Sequence, residues 1–200
     1  MTAMHNTSPL AGFQNAAAES NHVFRAVLDA MSRPGKIVGV SDLAAPAGLN
    51  PAANAILLTL ADMDTPIWLA DEIATEQAIN HIRFHTGAEV TSDPSRALFA
   101  IASAETAITE IAKLSSGTPE APHQSATLIL LVEDLNAAPA IQMTGPGIKT
   151  KETLGVTPLP DGFLDWAQAN SCKFPCGVDV IFASPASLAA LPRSSQIEVN

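Results

Sequence analysis

Basic residues are scarce in this 200-residue sequence. Ten lysines and arginines stand against twenty aspartates and glutamates, which gives a net charge of −10 at pH 7. Affinity for nucleic acid comes largely from lysines and arginines that neutralise phosphates, and anionic membrane surfaces attract proteins in the same way. The shortage therefore argues against nucleic acid and membranes as partners. It also argues against a chain that holds a triphosphate unaided, unless its few cations are gathered at one place.

Long apolar runs are missing as well. No stretch reaches the roughly 20 apolar residues that are needed to cross a bilayer. The N-terminal letters MTAMHNTSPLAGFQ lack the basic segment and apolar run of a secretion signal. We therefore expect a cytoplasmic protein.

Cysteine is rare, and the spacing of the two cysteines does not favour a metal. Cys172 and Cys176 form a C-x3-C pair, with no further cysteine in the chain. A tetrahedral zinc site takes four ligands, and iron–sulfur clusters take three or four cysteines. We predict two buried or half-buried free thiols, no metal site and no metal cofactor.

Several familiar catalytic motifs are also absent. The sequence has no G-x-x-x-x-G-K-[ST] phosphate loop, no G-x-G-x-x-G, no G-x-S-x-G and no H-E-x-x-H. No catalytic residue is assigned from the sequence, and enzymatic activity stays open.

Hydrophobic residues make up 47% of the chain, enough for the core of one domain. Helical and strand-like patterns alternate, which predicts a single α/β domain with a mixed sheet flanked by helices. We place an N-terminal tail at 1–12 and the domain at 13–200, and residues 55–61 fit either a strand or a helix end. Helices are predicted at about 14–31, 72–85, 104–114, 163–169 and 185–191, and strands at about 36–40, 67–69, 97–102, 127–132, 178–182 and 195–199.

The first helix ends in the letters MSRPGK, where a cation stands on each side of a sharp turn. Pro34 excludes its predecessor from the helix, and Pro34-Gly35 suits a type II turn. Arg33 and Lys36, with Arg83 and Arg193, are candidates to grip a phosphate-bearing group. The alternative is that these cations pair with helix-end carbonyls or with carboxylates of the same domain.

A second candidate is the letters TGPGIK, which follow a predicted strand. Gly145 and Gly147 allow backbone N–H groups to point into a concavity that suits an anion, with Lys149 and Lys151 close behind. The alternative is a plain turn that requires positive φ angles. His81 and His85 share one helix face, as a metal pair would, but no third ligand lies near them in sequence. We favour a packed or hydrogen-bonded histidine pair.

Taken together, seven short segments resemble the PhnH family of the bacterial carbon–phosphorus lyase system. They occur in the order AMSRPG, LLTLADMDTPIWL, IRFHT, LSSGTPEAP with ATLILLVEDL, TGPGI, FPCGVDVIF and LPRSSQIEV, and the resemblance runs from about residue 13 to residue 199. Two departures are visible, because Cys176 stands where an aliphatic residue is common and Cys172 has no expected counterpart.

The resemblance implies a fold like that of the pyridoxal-phosphate-dependent transferases, without the cofactor site and without a cofactor. It implies a homodimer that works with PhnG, PhnI and PhnJ type subunits. The complex attaches an alkylphosphonate to the ribose of ATP and releases adenine, which gives a ribose 1-alkylphosphonate 5-triphosphate. This chain is then an accessory subunit, either non-catalytic or incompletely catalytic.

The alternative is a stand-alone enzyme or sensor that binds a phosphate- or phosphonate-bearing ligand with its own residues. In that case Arg33, Gly145, Gly147 and Arg193 build the anion site. If the chain is an accessory subunit, we expect the MSRPGK turn to present Arg33 to a partner or to a carboxylate of the same chain.

Overall fold

The computed structural model describes residues 9–40, 43–137 and 140–198. Five α-helices lie in these segments, namely α1 Ala16–Ser32, α2 Pro51–Leu60, α3 Glu76–Thr86, α4 Ile108–Ile111 and α5 Phe163–Ser171. The same segments contain ten strands, namely β1 Val38–Gly39, β2 Ile67–Leu69, β3 Val90–Thr91, β4 Phe99–Ala102, β5 Thr127–Leu131, β6 Ala140–Thr144, β7 Glu152–Gly155, β8 Asp179–Ala183, β9 Ser187–Leu191 and β10 Gln196–Glu198.

Seven of the strands form one mixed sheet in the order β1-β9-β8-β5-β4-β2-β3. The five strands from β8 to β3 are parallel, and β9 and β1 add antiparallel pairs at one side. Central strands such as β5 are apolar on both faces, as expected where helices cover both sides of a sheet. The predicted single α/β domain with a mixed sheet is confirmed.

Helix caps explain where the longer helices begin and end. The side chains of Asn15, Asn50 and Thr75 accept hydrogen bonds from backbone N–H groups of the first turns of α1, α2 and α3. Gly87 ends α3 in the left-handed conformation, as the sequence predicts. Residues 55–60 of the ambiguous run belong to α2, and Ala61 caps its end. The predicted helix 104–114 is shortened to α4.

The predicted helix 185–191 is wrong, because these residues form a hairpin with β8. Leu188 to Leu191 pair antiparallel with Ala183 to Val180. Ser184 closes the turn, since its backbone N–H and its hydroxyl both donate to the carbonyl of Ser187. Alanine and leucine favour helices in isolation, but burial beside a neighbouring strand decides here.

The helices lie on two faces of the main sheet. The β2–α3–β3 crossover runs in one direction across the sheet, while the crossovers through α4 and α5 run in the other. Right-handed crossovers of opposite direction place their helices on opposite faces. Helix α2 packs between α1 and α3, so these three helices share one face.

A second, three-stranded antiparallel sheet has the order β10-β6-β7. It packs beside α5 through β10. The sequence predicts β6 and β10 but not β7, whose polar letters carry a weak strand pattern. The short edge strand β3 was likewise not predicted.

Residues 1–8 of the predicted tail and Val199 of the last predicted strand lie outside the described residues. The boundary between tail and domain at residue 13 stays a prediction. Among the described residues, no helix combines the length and apolar character that would let it cross a membrane.

Candidate functional site

The turn after α1 holds two of the predicted site residues against one carboxylate. Arg33 and Lys36 both donate to Asp29 in the last turn of α1, with Lys36 Nζ 2.7 Å from the carboxylate. The backbone N–H of Lys36 donates to the carbonyl of Arg33, and Gly35 has a φ of 89°, as in the predicted type II turn. The hydrogen bond from Lys36, then that from Arg33, lowers the pKa of Asp29 despite some burial. The carboxylate therefore stays charged and holds both cations.

The turn at Gly145 and Gly147 packs against two other turns. A Cβ on Gly147 would stand 2.2 Å from the carbonyl oxygen of Ser32, and a Cβ on Gly145 would stand 3.0 Å from that of Ser194. Both glycines have positive φ angles. Their missing side chains allow backbone to approach backbone, which joins the ends of α1 and β6 to the segment before β10.

Arg193 is tied into the domain by its whole guanidinium group. Its Nε lies 3.1 Å from both carboxylate oxygens of Asp179, and its Nη1 donates to the carbonyl of Pro122 over 2.8 Å. The backbone N–H of Arg193 also donates to Asp179. Both side chains are about 85% buried, so this fork-like pair is shielded from water.

The structure therefore brings three of the predicted segments together, namely 33–36, 145–147 and 193–195. Arg83 does not join them, because it lies exposed in the last turn of α3, a helix that packs on α2. The cations of two of these segments, Arg33, Lys36 and Arg193, pair with carboxylates of their own chain. Contact of Arg33, Lys36, Arg83, Gly145, Gly147 and Arg193 with a ligand or partner stays a prediction.

His81 and His85 are neighbours on α3, with ring centroids 4.4 Å apart. Nε2 of His81 lies 3.0 Å from Oδ1 of Asn54, whose amide group donates to the carbonyl of Ala44. Nε2 of His85 pairs with the carbonyl of Leu10 over 2.8 Å. Each Nε2 atom thus has a protein acceptor, as expected for a hydrogen-bonded pair rather than a metal pair.

Acidification is expected to destabilise the fold through His81. Burial, and then the charge of His85, lowers the pKa of His81 to about 4, against 6.5 for an unperturbed histidine. The unfolded chain therefore binds the proton more readily, and the stability present above pH 6.5 is lost as the pH falls towards 4. Urea titrations should find a loss of about 2 kcal/mol between pH 7 and pH 5 from this residue.

The matched variants are His81→Gln and His22→Gln, the latter at an exposed position of α1. His81→Gln should remove most of this pH dependence, and His22→Gln should leave it in place. An unchanged slope in His81→Gln would contradict the assignment.

Across residues 9–40, 43–137 and 140–198, no group of three or more histidine, cysteine, aspartate or glutamate side chains is arranged to hold a metal ion. Cys172 is exposed, Cys176 is half-buried, and both are free thiols. Both are free, as predicted, but the prediction that both are buried or half-buried is wrong for Cys172, which is exposed.

A crevice runs along the carboxyl edge of the parallel strands. It consists of two cavities, of about 430 and 450 Å³, which adjoin at Glu105. The first lies beyond β5 and beside the start of α2, and the second lies beyond β2 and β4. We call the two together the carboxyl-edge crevice. Five acidic residues line it, namely Asp71, Glu72, Glu105, Glu110 and Glu133.

Sequence reasoning did not find this crevice, although a signal was present. Acidic residues follow three predicted strands within a few positions, at Asp71, Glu105 and Glu133. Because carboxyl ends of parallel strands meet at one edge, these side chains gather there. Recognising them requires knowing that the three strands are parallel neighbours.

Comparison with known proteins assigns the chain to a family. The family model described as bacterial phosphonate metabolism protein (PhnH) matches residues 11–198. The chain belongs to the PhnH family. The seven segments that carry the resemblance lie inside this match or at its end, which confirms the family predicted from sequence.

Two curated relatives match the chain over nearly its whole length. One, from Rhizobium meliloti (strain 1021), is named alpha-D-ribose 1-methylphosphonate 5-triphosphate synthase subunit PhnH. It is 37% identical over 187 residues, which cover 93% of this chain and 94% of the relative. The other, from Stutzerimonas stutzeri, is named putative C-P lyase subunit protein HtxG. It is 29% identical over 195 residues, which cover 92% of this chain and 88% of the relative.

Proposed function

We propose that this chain is an accessory subunit of a carbon–phosphorus lyase complex. In that role it is required for forming ribose 1-alkylphosphonate 5-triphosphate from ATP and an alkylphosphonate. The observation that carries the proposal is the full-length similarity to a relative named as a subunit of that synthase. The second relative, named as a putative C-P lyase subunit, supports the same role.

The pairing of the cations supports an accessory role over a self-sufficient one. Arg33 and Lys36 share Asp29, and Arg193 is committed to Asp179. A site that grips a polyphosphate needs several cations aimed at the ligand. Among the described residues, the clustered turns do not offer such a set, so the alternative of a stand-alone anion-binding enzyme or sensor has less support.

Assembly with the other subunits is the direct test. The chain should co-purify with PhnG, PhnI and PhnJ type subunits when they are expressed together. The assembled complex, given ATP and methylphosphonate, should release adenine, and omission of this chain should remove that activity. Adenine release by the isolated chain at a comparable rate would overturn the accessory role.

We also propose that the fold resembles the pyridoxal-phosphate-dependent transferases without their cofactor site. A lysine that forms a Schiff base is sheltered, with its pKa lowered. All five lysines are exposed in this chain, namely Lys36, Lys113, Lys149, Lys151 and Lys173. Pyridoxal phosphate added to the protein should therefore give no specific Schiff-base absorbance band.

Exposed apolar side chains support subunit contacts, including the proposed homodimer. Met63 is 76% exposed and Phe84 is 70% exposed. Phe174 is 61% exposed, and Phe24 and Leu28 are exposed on α1, so large apolar side chains reach the surface at several places. Such surface is more common in proteins that associate. The proposed location of the complex is the cytoplasm.

A further inference from the structure

We propose that the carboxyl-edge crevice binds a small organic cation, an ammonium, guanidinium or amidinium group on an apolar stem. This inference goes beyond the proposed subunit role and does not depend on it. It follows from the position of the crevice, its charge, the state of its polar groups and its apolar wall.

The carboxyl-edge crevice lies where open parallel sheets bind their ligands. In such sheets, ligands occupy crevices outside the carboxyl ends of the strands, most often where successive crossovers change direction. The chain moves from β2 outward to β3, then returns to β4 and continues to β5 and β8. The cavity lined by Trp68, Asp71, Ser92 and Thr106 lies at this change of direction, and its volume is typical of small-molecule sites.

The charge of the crevice selects a cation. Its lining contains five carboxylates and no lysine, arginine or histidine. Glu110 is already paired with Lys113 over 2.6 Å, so four carboxylates remain to repel an anion and to attract a cation. A phosphate or phosphonate is therefore a poor occupant of this part of the molecule.

Polar side chains of the crevice already form hydrogen bonds within the protein, and the atoms that remain for a ligand are acceptors. Ser103 and Thr106 both donate their hydroxyl groups to Glu72. Partial burial raises the pKa of Glu72, but these hydrogen bonds outweigh it and hold the pKa below its usual range. The amide of Asn50 accepts from Ala53 and donates to the carbonyl of Ala183. The donor groups of Ser103, Thr106 and Asn50 are therefore used within the protein. A ligand that forms hydrogen bonds with these side chains has to supply the N–H groups itself.

The apolar wall excludes a bare metal ion as the preferred occupant. The cavity beside α2 is lined by apolar side chains from four parts of the fold, namely Leu49, Leu131, Val132, Pro158 and Pro185. Magnesium and calcium favour shells of oxygen ligands and water, which this wall does not offer. An apolar stem beside a charged head matches both the wall and the carboxylates.

Three probes of the same shape and different charge test the proposal on the full chain. Benzamidine is a cation, benzamide is neutral and benzoate is an anion. We expect benzamidine to bind with a Kd of about 1 mM, a normal affinity for a fragment of this size. It should shift the backbone NMR signals of 48–50, 103–105 and 131–133, while benzamide binds more weakly and benzoate does not bind there.

Substitution of the carboxylates supplies the matched variants. Glu105→Gln and Glu133→Gln should each weaken benzamidine binding about tenfold, because each removes a charge-assisted acceptor. Glu120→Gln removes the same charge from an exposed position outside the crevice and should leave binding unchanged. An equal loss in Glu120→Gln, equal binding of benzoate, or no binding at about 10 mM benzamidine would overturn the proposal.

The source of the cation is tested on the assembled complex. A free ligand requires that the crevice stay open there, so benzamidine should bind the complex as it binds the isolated chain. Loss of binding on assembly would overturn the free-ligand assignment and favour a basic side chain of a neighbouring subunit.

Discussion

Replacing Gly147 with alanine is expected to lower the free energy of unfolding by about 3 to 4 kcal/mol. The added Cβ would stand 2.2 Å from the carbonyl oxygen of Ser32 and 3.1 Å from Cδ of Pro34, at a φ of 83°. The first contact is with a backbone atom, so the clash is removed only if the turn at Gly147 moves away from the end of α1. Urea denaturation followed by circular dichroism measures the loss.

Gly39→Ala is the matched control for this substitution. The nearest atom to a Cβ at Gly39 is the carbonyl oxygen of Ala186 at 4.0 Å, an ordinary contact. We expect a change within about 0.5 kcal/mol there. A loss below about 1 kcal/mol in Gly147→Ala would mean that the two turns do not depend on their close contact.

Removing the guanidinium of Arg193 is expected to cost about 3 kcal/mol, at the lower end for buried ion pairs. Arg193→Ala leaves the carboxylate of Asp179 shielded from water without its bidentate partner, and it frees the carbonyl of Pro122. Asp179→Ala should cost a similar amount for the converse reason. The double variant should cost less than the sum of the two, with a coupling of about 2 kcal/mol in thermal or urea unfolding.

The exposed pair Lys151–Glu198 provides the comparison, since its side chains are 54% and 51% exposed. Lys151→Ala should change stability by less than about 1 kcal/mol. Measuring both the stability and the co-purification of Arg193→Ala separates two roles for Arg193. If Arg193→Ala is as stable as the parent chain but fails to co-purify with the other subunits, Arg193 contacts a partner and is not mainly structural.

Much of the fold could be predicted from the sequence where local pattern and burial agree. The strand 67–69 matches β2, and 127–132 matches β5 to within one residue. The last hairpin could not be predicted, because Leu188 to Leu191 are good helix formers that become a strand only beside β8. Strands β3 and β7 carry too few apolar residues for their pairing to be visible in the sequence.

The candidate site was predictable only in part. The sequence identifies the three turn segments at 33–36, 145–147 and 193–195, since proline, glycine and cations stand out there. Asp29 stands four residues before Arg33, a spacing that by itself suggests a pair. The partner of Arg193 is not visible in the sequence, because Asp179 meets Arg193 only after the sheet forms. The carboxyl-edge crevice was missed for the same reason, as its lining comes from segments far apart in the chain.

The main sheet ends on both sides in a strand of only two residues, β1 and β3. Each edge of the sheet thus exposes few unpaired backbone N–H and C=O groups. A strand from another molecule has few groups to pair with, which disfavours amyloid-like aggregation. A neighbouring protein accordingly gains little by lengthening the sheet with a strand of its own. Stable quaternary contacts would instead rest on side chains, in helical patches or in grooves.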